Sequence, residues 1–247
     1  MIDKMYEMFM DSIPDYEGKI CVPLSGGLDS RVLAGLISRK RKIDLSYCQY
    51  LLKYPIKIGK QIENVSYARK IAQACGVERF ETVCVNYVKD EDLEAVKGVA
   101  CEDQLNRSGM YTGLRILNER LDLSDYTMIS AHGLDTLTGI HVNPPGLFNY
   151  RGKEKRDRKK MVDYFTSIFP ATYRAFGEYD CPLWGDELNE WCFNLPLHYR
   201  FHQKLYRQML KKYFPELAVI PREDMHVSMD IGETRYFYER FKFWLRK

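Results

Sequence analysis

The sequence predicts an α/β protein: a parallel sheet with helices on both faces, followed by a helical C-terminal region. Three observations support this fold class. Short apolar runs typical of buried strands alternate with amphipathic helical patterns over the first part of the chain. A Ser-Gly-Gly turn joins the first of these strands to the helix after it. Beyond about Gly146 the strand signals fade and helical patterns dominate.

The strands are predicted from apolar runs bounded by turn residues, as in the KICVPL run that begins at Lys19. The predicted strands are Lys19–Leu24, Leu45–Leu52, Phe80–Val85 and Tyr126–Ser130. The helices between them are predicted from apolar residues at helical spacing. They cover Leu28–Arg39, Gln61–Cys75 and Arg107–Leu121, the second ending at Gly76.

The second part of the chain carries four helical patterns. They are Met161–Phe169, Glu187–Phe193, Tyr199–Tyr213 and Arg235–Leu245. The Pro144-Pro145-Gly146 stretch separates the two parts. We therefore predict an α/β core over residues 1–146 and a helical region over residues 147–247 that completes the same domain.

The charge of the chain is nearly balanced. It has 37 basic and 34 acidic residues, for a net charge of +3. This balance predicts neither a nucleic acid nor a membrane surface as a partner. The basic segment Arg151–Lys160 is better explained as a solvated helix or loop, and a nucleic-acid patch is the minority interpretation.

The cysteine pattern indicates a reducing compartment. Seven scattered cysteines form no C-x-x-C pair, and several lie in apolar runs. The N-terminal segment is charged every few residues, unlike a signal peptide, and no apolar run approaches the roughly 20 residues that cross a bilayer. These features predict a cytoplasmic protein.

The segment Leu24–Ser30, with the sequence LSGGLDS, has the layout of an anion-binding loop. It joins a strand to a helix whose first N–H groups lack internal partners and whose dipole favours negative charge. Gly26 and Gly27 allow the backbone to approach a ligand, and the hydroxyls of Ser25 and Ser30 can donate. It is neither a Walker A loop nor a G-x-G-x-x-G fingerprint.

An aspartate in such a loop calls for a cation. An unshielded carboxylate beside phosphates would be repelled, whereas Mg²⁺ binds one or two carboxylates together with phosphate oxygens. We therefore predict that Asp29 is a Mg²⁺ ligand. A second acid is expected at the carboxyl end of another strand, where open α/β sheets bind their ligands.

The Ser25-Gly26-Gly27-x-Asp29-Ser30 motif resembles the pyrophosphate loop of N-type ATP pyrophosphatases, which have an adenine nucleotide alpha hydrolase-like fold. The segment Ser130–Gly139 resembles the second motif of the asparagine synthetase synthase domain. Its Ser130, Gly133 and Asp135 fall on that motif's serine, glycine and metal-binding aspartate. Together the two motifs narrow the resemblance to asparagine synthetase, β-lactam synthetase and their relatives. Two weaker matches are Cys181–Pro196 and Tyr213–Leu217.

The resemblance implies an ATP-dependent amide-forming ligase, a carbon–nitrogen ligase that uses ATP and Mg²⁺. A carboxylate would be activated as an acyl-adenylate with release of pyrophosphate, and ammonia or an amine would then attack it. The implied nucleotide-binding residues are Leu24, Ser25, Gly26, Gly27, Asp29, Ser30, Gln49 and Gly133. The implied metal ligands are Asp29 and Asp135.

The chain departs from the family pattern at several positions. His132 stands where the family has a glutamate near the acyl acceptor. It is either a proton-transfer residue or a partly buried structural residue. Thr136 and Gly185 also replace family acids. Lys204 is the candidate for the family's lysine, which would neutralise the leaving pyrophosphate, although Gln203 fits the spacing to the following helix better.

The first strand begins within about twenty residues of Met1, so we expect no glutaminase domain in this chain. Ammonia would come from solution or from a separate glutaminase subunit, or an amine from the substrate. Two alternatives stay open. One is a tRNA-modifying ATP pyrophosphatase, which also starts from SGGxDS. The other is a degenerate, non-catalytic nucleotide-binding protein.

Overall fold

The structure is a computed structural model that describes residues 1–51, 58–97, 104–134, 138, 169–223 and 225–245. Within these residues the chain forms one sheet of five parallel strands in the order β3-β2-β1-β4-β5. The strands are β1 (Lys19–Pro23), β2 (Leu45–Leu51), β3 (Arg79–Val85), β4 (Tyr126–Ile129) and β5 (Glu178–Asp180). The predicted parallel α/β sheet is confirmed.

In the first part of the chain, one helix precedes β1 and four helices connect the strands. They are α1 (Ile2–Ser12), α2 (Leu28–Lys40), α3 (Ile58–Ala74), α4 (Asp90–Lys97) and α5 (Gln104–Leu121). The helices of the second part are α6 (Phe169–Arg174), α7 (Asp186–Asn194), α8 (Leu197–Arg200), α9 (Lys204–Tyr213), α10 (Pro215–Ala218) and α11 (Glu233–Leu245). Short 3₁₀ helices cover Leu123–Asp125 and Phe201–Gln203.

Both faces of the sheet are covered by apolar side chains, because successive residues of a strand point to opposite faces. On β1, Ile20 and Val22 pack into one core with α1, α2, α3 and α9. Cys21, between them, packs into a second core with Leu114 and Leu117 of α5. This double burial explains why the strands appear in the sequence as unbroken apolar runs.

The predicted elements of the first part agree with the structure to within a few residues. Helix α2 was expected over Leu28–Arg39 and covers Leu28–Lys40, and the strand expected over Tyr126–Ser130 ends at Ile129. Helix α1 had no counterpart in the prediction. It is anchored by tertiary contacts, among them the ring of Tyr6 stacked on Tyr213 with centroids 3.7 Å apart.

The second part differs more. The helix expected over Tyr199–Tyr213 is wrong as a single element, because His202 and Gln203 have φ values of +51° and +57° and break it before α9. Strand β5 was also not predicted. It is only three residues long and too short to show a periodic pattern, yet it pairs with β4 at the edge of the sheet.

The expected boundary near Gly146 and the basic segment Arg151–Lys160 lie outside the described residues. The same holds for most of the helix predicted over Met161–Phe169, of which only Phe169 is described, as the start of α6. Since β5 comes from beyond that boundary and joins the sheet, the second part completes the α/β layer as well as adding helices.

Within the described parts of the chain, no helix combines the length and apolarity that crossing a membrane requires. The described cysteines, Cys21, Cys48, Cys75, Cys84, Cys181 and Cys192, are all free thiols.

Candidate nucleotide-binding site

The order of the strands places a topological switch point between β1 and β4, where open α/β sheets form a ligand-binding crevice. The chain runs from β1 outward through β2 to β3, then returns to the other side of β1 as β4. Open α/β sheets bind ligands at such a switch point, outside the carboxyl ends of the strands. Lys19 pairs with Tyr126 and Cys21 with Met128, so β1 and β4 end at nearly the same level. The loops that follow them are the two walls of the crevice.

The loop after β1, Leu24–Gly27, is held by short-range hydrogen bonds of its serines. The Ser25 N–H donates to Ser30 Oγ over 3.1 Å, and the two hydroxyl oxygens lie 3.2 Å apart. The Gly27 N–H donates to Ser25 Oγ over 3.0 Å. The Ser25 hydroxyl oxygen thus accepts from a backbone N–H of the loop, as an oxygen of a bound anion would. Leu24 is buried and extends β1, its N–H donating to the Tyr47 carbonyl over 2.8 Å.

Gly26 cannot be replaced without moving its neighbours. A Cβ at this position would lie 3.0 Å from Glu223 Cβ, 3.1 Å from Asn64 Oδ1 and 3.1 Å from Tyr67 Cβ. The Gly26 N–H donates to Asn64 Oδ1. The glycine therefore lets α3 and the segment after α10 close on the outside of the loop.

Glu223 is a site residue that the sequence did not reveal. Its Oε1 lies 3.6 Å from the position of a Cβ on Gly27, and its N–H donates to the Gly26 carbonyl over 3.2 Å. Burial raises the pKa of the Cys48 thiol to about 12, with a smaller contribution from the Glu223 carboxylate. No motif marks Glu223, because folding alone brings it across almost two hundred residues to this loop.

The structure describes one of the two predicted metal ligands. Asp29 lies in the first turn of α2, partly exposed, where the helix dipole favours its negative charge. Asp135 and Thr136 lie outside the described residues. Among the residues that the structure describes, no three histidine, cysteine or acidic side chains are grouped so as to hold a metal ion. The shared metal site therefore stays a prediction.

Gln49 belongs to the second strand, which the resemblance implies would present backbone groups to adenine. Its side chain lies on the side of the sheet that α5 covers. Its Nε2 donates to the Gly109 carbonyl over 2.5 Å, and its side chain leaves no space for a Cβ on Gly113. The side chain thus anchors α5 to β2. A role of its backbone in adenine binding stays a prediction.

The loop after β4 is built differently. Ser130 is buried, and its hydroxyl lies 2.8 Å from the Tyr179 hydroxyl. Gly133 has a φ of +79°, a backbone conformation that glycine adopts freely and that residues with a side chain rarely adopt. The glycine of the second motif is therefore needed to turn the chain at the crevice.

His132 is packed among aromatic rings in this loop. Its ring is stacked on Phe169, with centroids 3.9 Å apart, and its Nε2 lies 3.2 Å from the Tyr173 hydroxyl. Burial lowers the pKa of His132 to about 4, so the imidazole is neutral near pH 7. The packing is that of a structural residue, and a neutral imidazole also keeps the ability to accept a proton.

Gln203 occupies the inward position next to Lys204. It is buried, its Nε2 donates to Thr138 Oγ1 over 2.9 Å, and its Oε1 accepts from Arg222 over 3.3 Å. It therefore links the β4 side of the crevice to the segment that carries Glu223. Lys204 is partly exposed at the start of α9. Its predicted contact with pyrophosphate is untested, and of the two residues Gln203 makes the contacts across the crevice.

The parallel sheet and the loop after β1 have the layout of a nucleotide-binding α/β protein. Residues 15–110 match the family model of asparagine synthase, a span that includes the whole loop. The resemblance to the asparagine synthase family is thereby confirmed over this segment. ATP use is the property that the match supports.

No curated protein sequence matches the chain. Solved structures do match it. One of them is the U34-tRNA thiolase NcsA from Methanococcus maripaludis with its [4Fe-4S] cluster. It is 14% identical, with a TM-score of 0.41, and the match covers 98% of this chain and 80% of that chain.

Proposed function

We propose that this protein is an ATP-dependent amide-forming ligase. A carboxylate oxygen attacks the α-phosphorus of ATP, the α–β bond breaks, and pyrophosphate leaves. The resulting acyl-adenylate is attacked by ammonia or an amine, which releases AMP and forms the amide. The family match supports the use of ATP, and the carboxylate chemistry is our extension of it.

The observation that carries the proposal is the loop Ser25–Ser30 at the switch point of the sheet. It combines hydroxyls and backbone donors at the start of α2 with a glycine at which a side chain would press on its neighbours. These donors are of the kind that hold phosphate oxygens. They lie beside the crevice where a second substrate can approach the α-phosphorus.

Of the two carboxylates proposed to hold Mg²⁺, the structure describes Asp29. Asp29 would hold it at the loop, and Asp135 is our candidate for the second carboxylate. Mg²⁺ supplies charge neutralisation for the phosphates and the departing pyrophosphate. The protein itself contributes position: Gly27 N–H, Ser25 and Ser30 orient the phosphate chain, and the crevice holds the carboxylate in line.

The β4 side of the crevice favours an acceptor other than aspartate. His132 is neutral and stacked on Phe169, so it offers no fixed negative charge where the family has a glutamate. We propose a larger acid as the carboxylate substrate. A free amine or ammonia, the latter supplied by solution or by a separate glutaminase subunit, is the proposed nucleophile.

The test is a pyrophosphate-release screen over candidate carboxylic acids, with Mg-ATP and ammonia present, followed by chromatography of the nucleotides. We expect pyrophosphate and AMP in equal amounts with at least one acid. ADP with phosphate would contradict the proposal. Release that depends on added tRNA and not on any acid would assign the protein to the tRNA-modifying class. No turnover with either would favour the non-catalytic alternative.

A further inference from the structure

A buried arginine directly behind the phosphate loop joins it to the C-terminal half of the chain. Arg31 lies in the second turn of α2 and has 0% of its surface exposed. Its guanidinium donates to the carbonyls of Leu217 over 3.0 Å, Ile220, Pro221 over 2.8 Å and Gly26 over 3.0 Å. Three of the four acceptors belong to the segment at and after α10, and the fourth is the loop itself.

The Gly26 carbonyl is where these contacts meet. It accepts from Arg31 Nη2 and from the Glu223 N–H, at 3.0 Å and 3.2 Å. Both donors draw the oxygen toward the C-terminal segment. In a trans peptide the carbonyl and the following N–H point in opposite directions. The Gly27 N–H is therefore directed away from the segment, and it meets Ser25 Oγ at 3.0 Å.

The guanidinium also places a permanent positive charge beneath the loop. An arginine stays protonated even when buried, and its planar fork of five N–H donors spreads over carbonyls that the three donors on the single nitrogen of a lysine would not all reach. The same residue thus orients one backbone donor of the loop and adds favourable charge for an anion bound there.

We propose that Arg31 is a positioning residue of the phosphate loop, which it couples to the segment 217–223 through the Gly26–Gly27 peptide. The segment then acts as part of the nucleotide site although it lies outside every phosphate-binding motif. This inference rests on the proposed function, in that the loop binds phosphate groups.

The first experiment compares Arg31→Lys with the wild type by calorimetric titration with magnesium pyrophosphate. We expect a loss of affinity of about tenfold or more, the loss that follows when a hydrogen bond to a charged group is mispositioned. Arg39→Lys is the matched control. It lies on the same helix, half-exposed, and donates to the Tyr213 carbonyl far from the loop. Affinity unchanged in Arg31→Lys would overturn the proposal.

A destabilised control separates positioning from stability. Leu117→Ala removes a fully buried side chain on the opposite face of the sheet, so it should lower stability and leave pyrophosphate affinity within about twofold. A loss of affinity in this control as large as that in Arg31→Lys would assign the effect to stability and overturn the proposal.

The second experiment uses hydrogen exchange and does not require any variant to fold. Magnesium pyrophosphate added to the wild type should slow exchange in residues 24–30 and also in 217–223. Protection of the loop alone would overturn the coupling.

Failure of the wild type to bind pyrophosphate at all would instead contradict the proposed function. In that case, faster exchange of residues 217–223 in ligand-free Arg31→Lys than in ligand-free Arg39→Lys would support the coupling through Arg31. Equal exchange rates in the two variants would refute it.

Discussion

The two loops that flank the crevice are built on different principles. The loop after β1 follows its motif at every position and uses serine hydroxyls, backbone N–H groups and a tightly packed glycine. The loop after β4 keeps the turn glycine but is packed by rings, with His132 between Phe169 and Tyr173. The difference supports our proposal that the loop after β1 holds ATP and that the loop after β4 faces an acceptor other than aspartate.

The largest effect is expected at the loop after β1. Asp29→Ala should lower pyrophosphate formation at least a hundredfold, because the phosphates lose the carboxylate that would hold their cation. Steady-state pyrophosphate release and a titration with Mg-ATP measure this. The control is Asp125→Ala, whose exposed carboxylate lies at the amino ends of β1 and β4, the end of the sheet opposite to the loop. Normal turnover and Mg-ATP affinity in Asp29→Ala would reduce Asp29 to a helix-start residue.

The second largest effect is expected at the loop after β4, where a substitution should change the choice of acid and leave ATP binding unchanged. His132→Glu should change the preference among carboxylic acids more than tenfold and leave the KM for ATP within about twofold, because the loop after β1 is untouched. Competition between pairs of acids measures it. Since a buried glutamate can also destabilise the packing on Phe169, His132→Gln is the partner variant. Wild-type synthesis of asparagine from aspartate and ammonia at about 1 s⁻¹ or faster would end this interpretation.

A third change tests the packing behind the loop. Gly26→Ala should raise the KM for ATP about tenfold, because a methyl group 3.0 Å from Glu223 Cβ and 3.1 Å from Tyr67 Cβ must displace α3 or the segment at Glu223. Gly59→Ala is the control, since nothing lies within 4 Å of a Cβ at that position. Equal KM values for ATP in the two variants would show that the loop accommodates a methyl group at Gly26 and that this close packing does not matter for ATP binding.

The smallest effect concerns stability and pH. Burial lowers the pKa of both His132 and His202 to about 4, whereas an unfolded histidine titrates near 6.5. The unfolded chain therefore binds protons that the folded chain excludes, and this contribution is complete above about pH 6.5 and is lost as the pH falls toward 4. We expect a loss of about 2 kcal/mol of unfolding free energy per histidine between pH 7 and pH 5.

Urea unfolding at the two pH values measures this loss. His132→Gln should show a smaller decline than the wild type, because one of the two imidazoles with a lowered pKa is gone. His198→Gln, at an exposed position in α8, is the control and should decline as the wild type does. An identical decline in His132→Gln and in the wild type would mean that His132 titrates normally.

Much of the fold could be predicted because local pattern and burial coincide in its core. The β1 and β2 runs are apolar on both faces, and α2 begins where Gly27 ends the loop, so periodicity and turn chemistry point to the same boundaries. The break at His202 and Gln203 could not be predicted in this way. Both residues take left-handed backbone conformations that their own propensities do not favour, and the burial of Gln203 against Thr138 and Arg222 accompanies them.

The candidate site also has one part that the sequence predicts and another part that only the folded structure reveals. The sequence alone determined the loop Ser25–Ser30, because a contiguous strand–turn–helix presents its donors whatever surrounds it. Only the tertiary structure decided that Glu223 lies against Gly26 and that Arg31 binds the segment after α10. Contacts between residues nearly two hundred positions apart leave no periodic or motif signal in a single chain, since they arise when separate elements pack on one sheet.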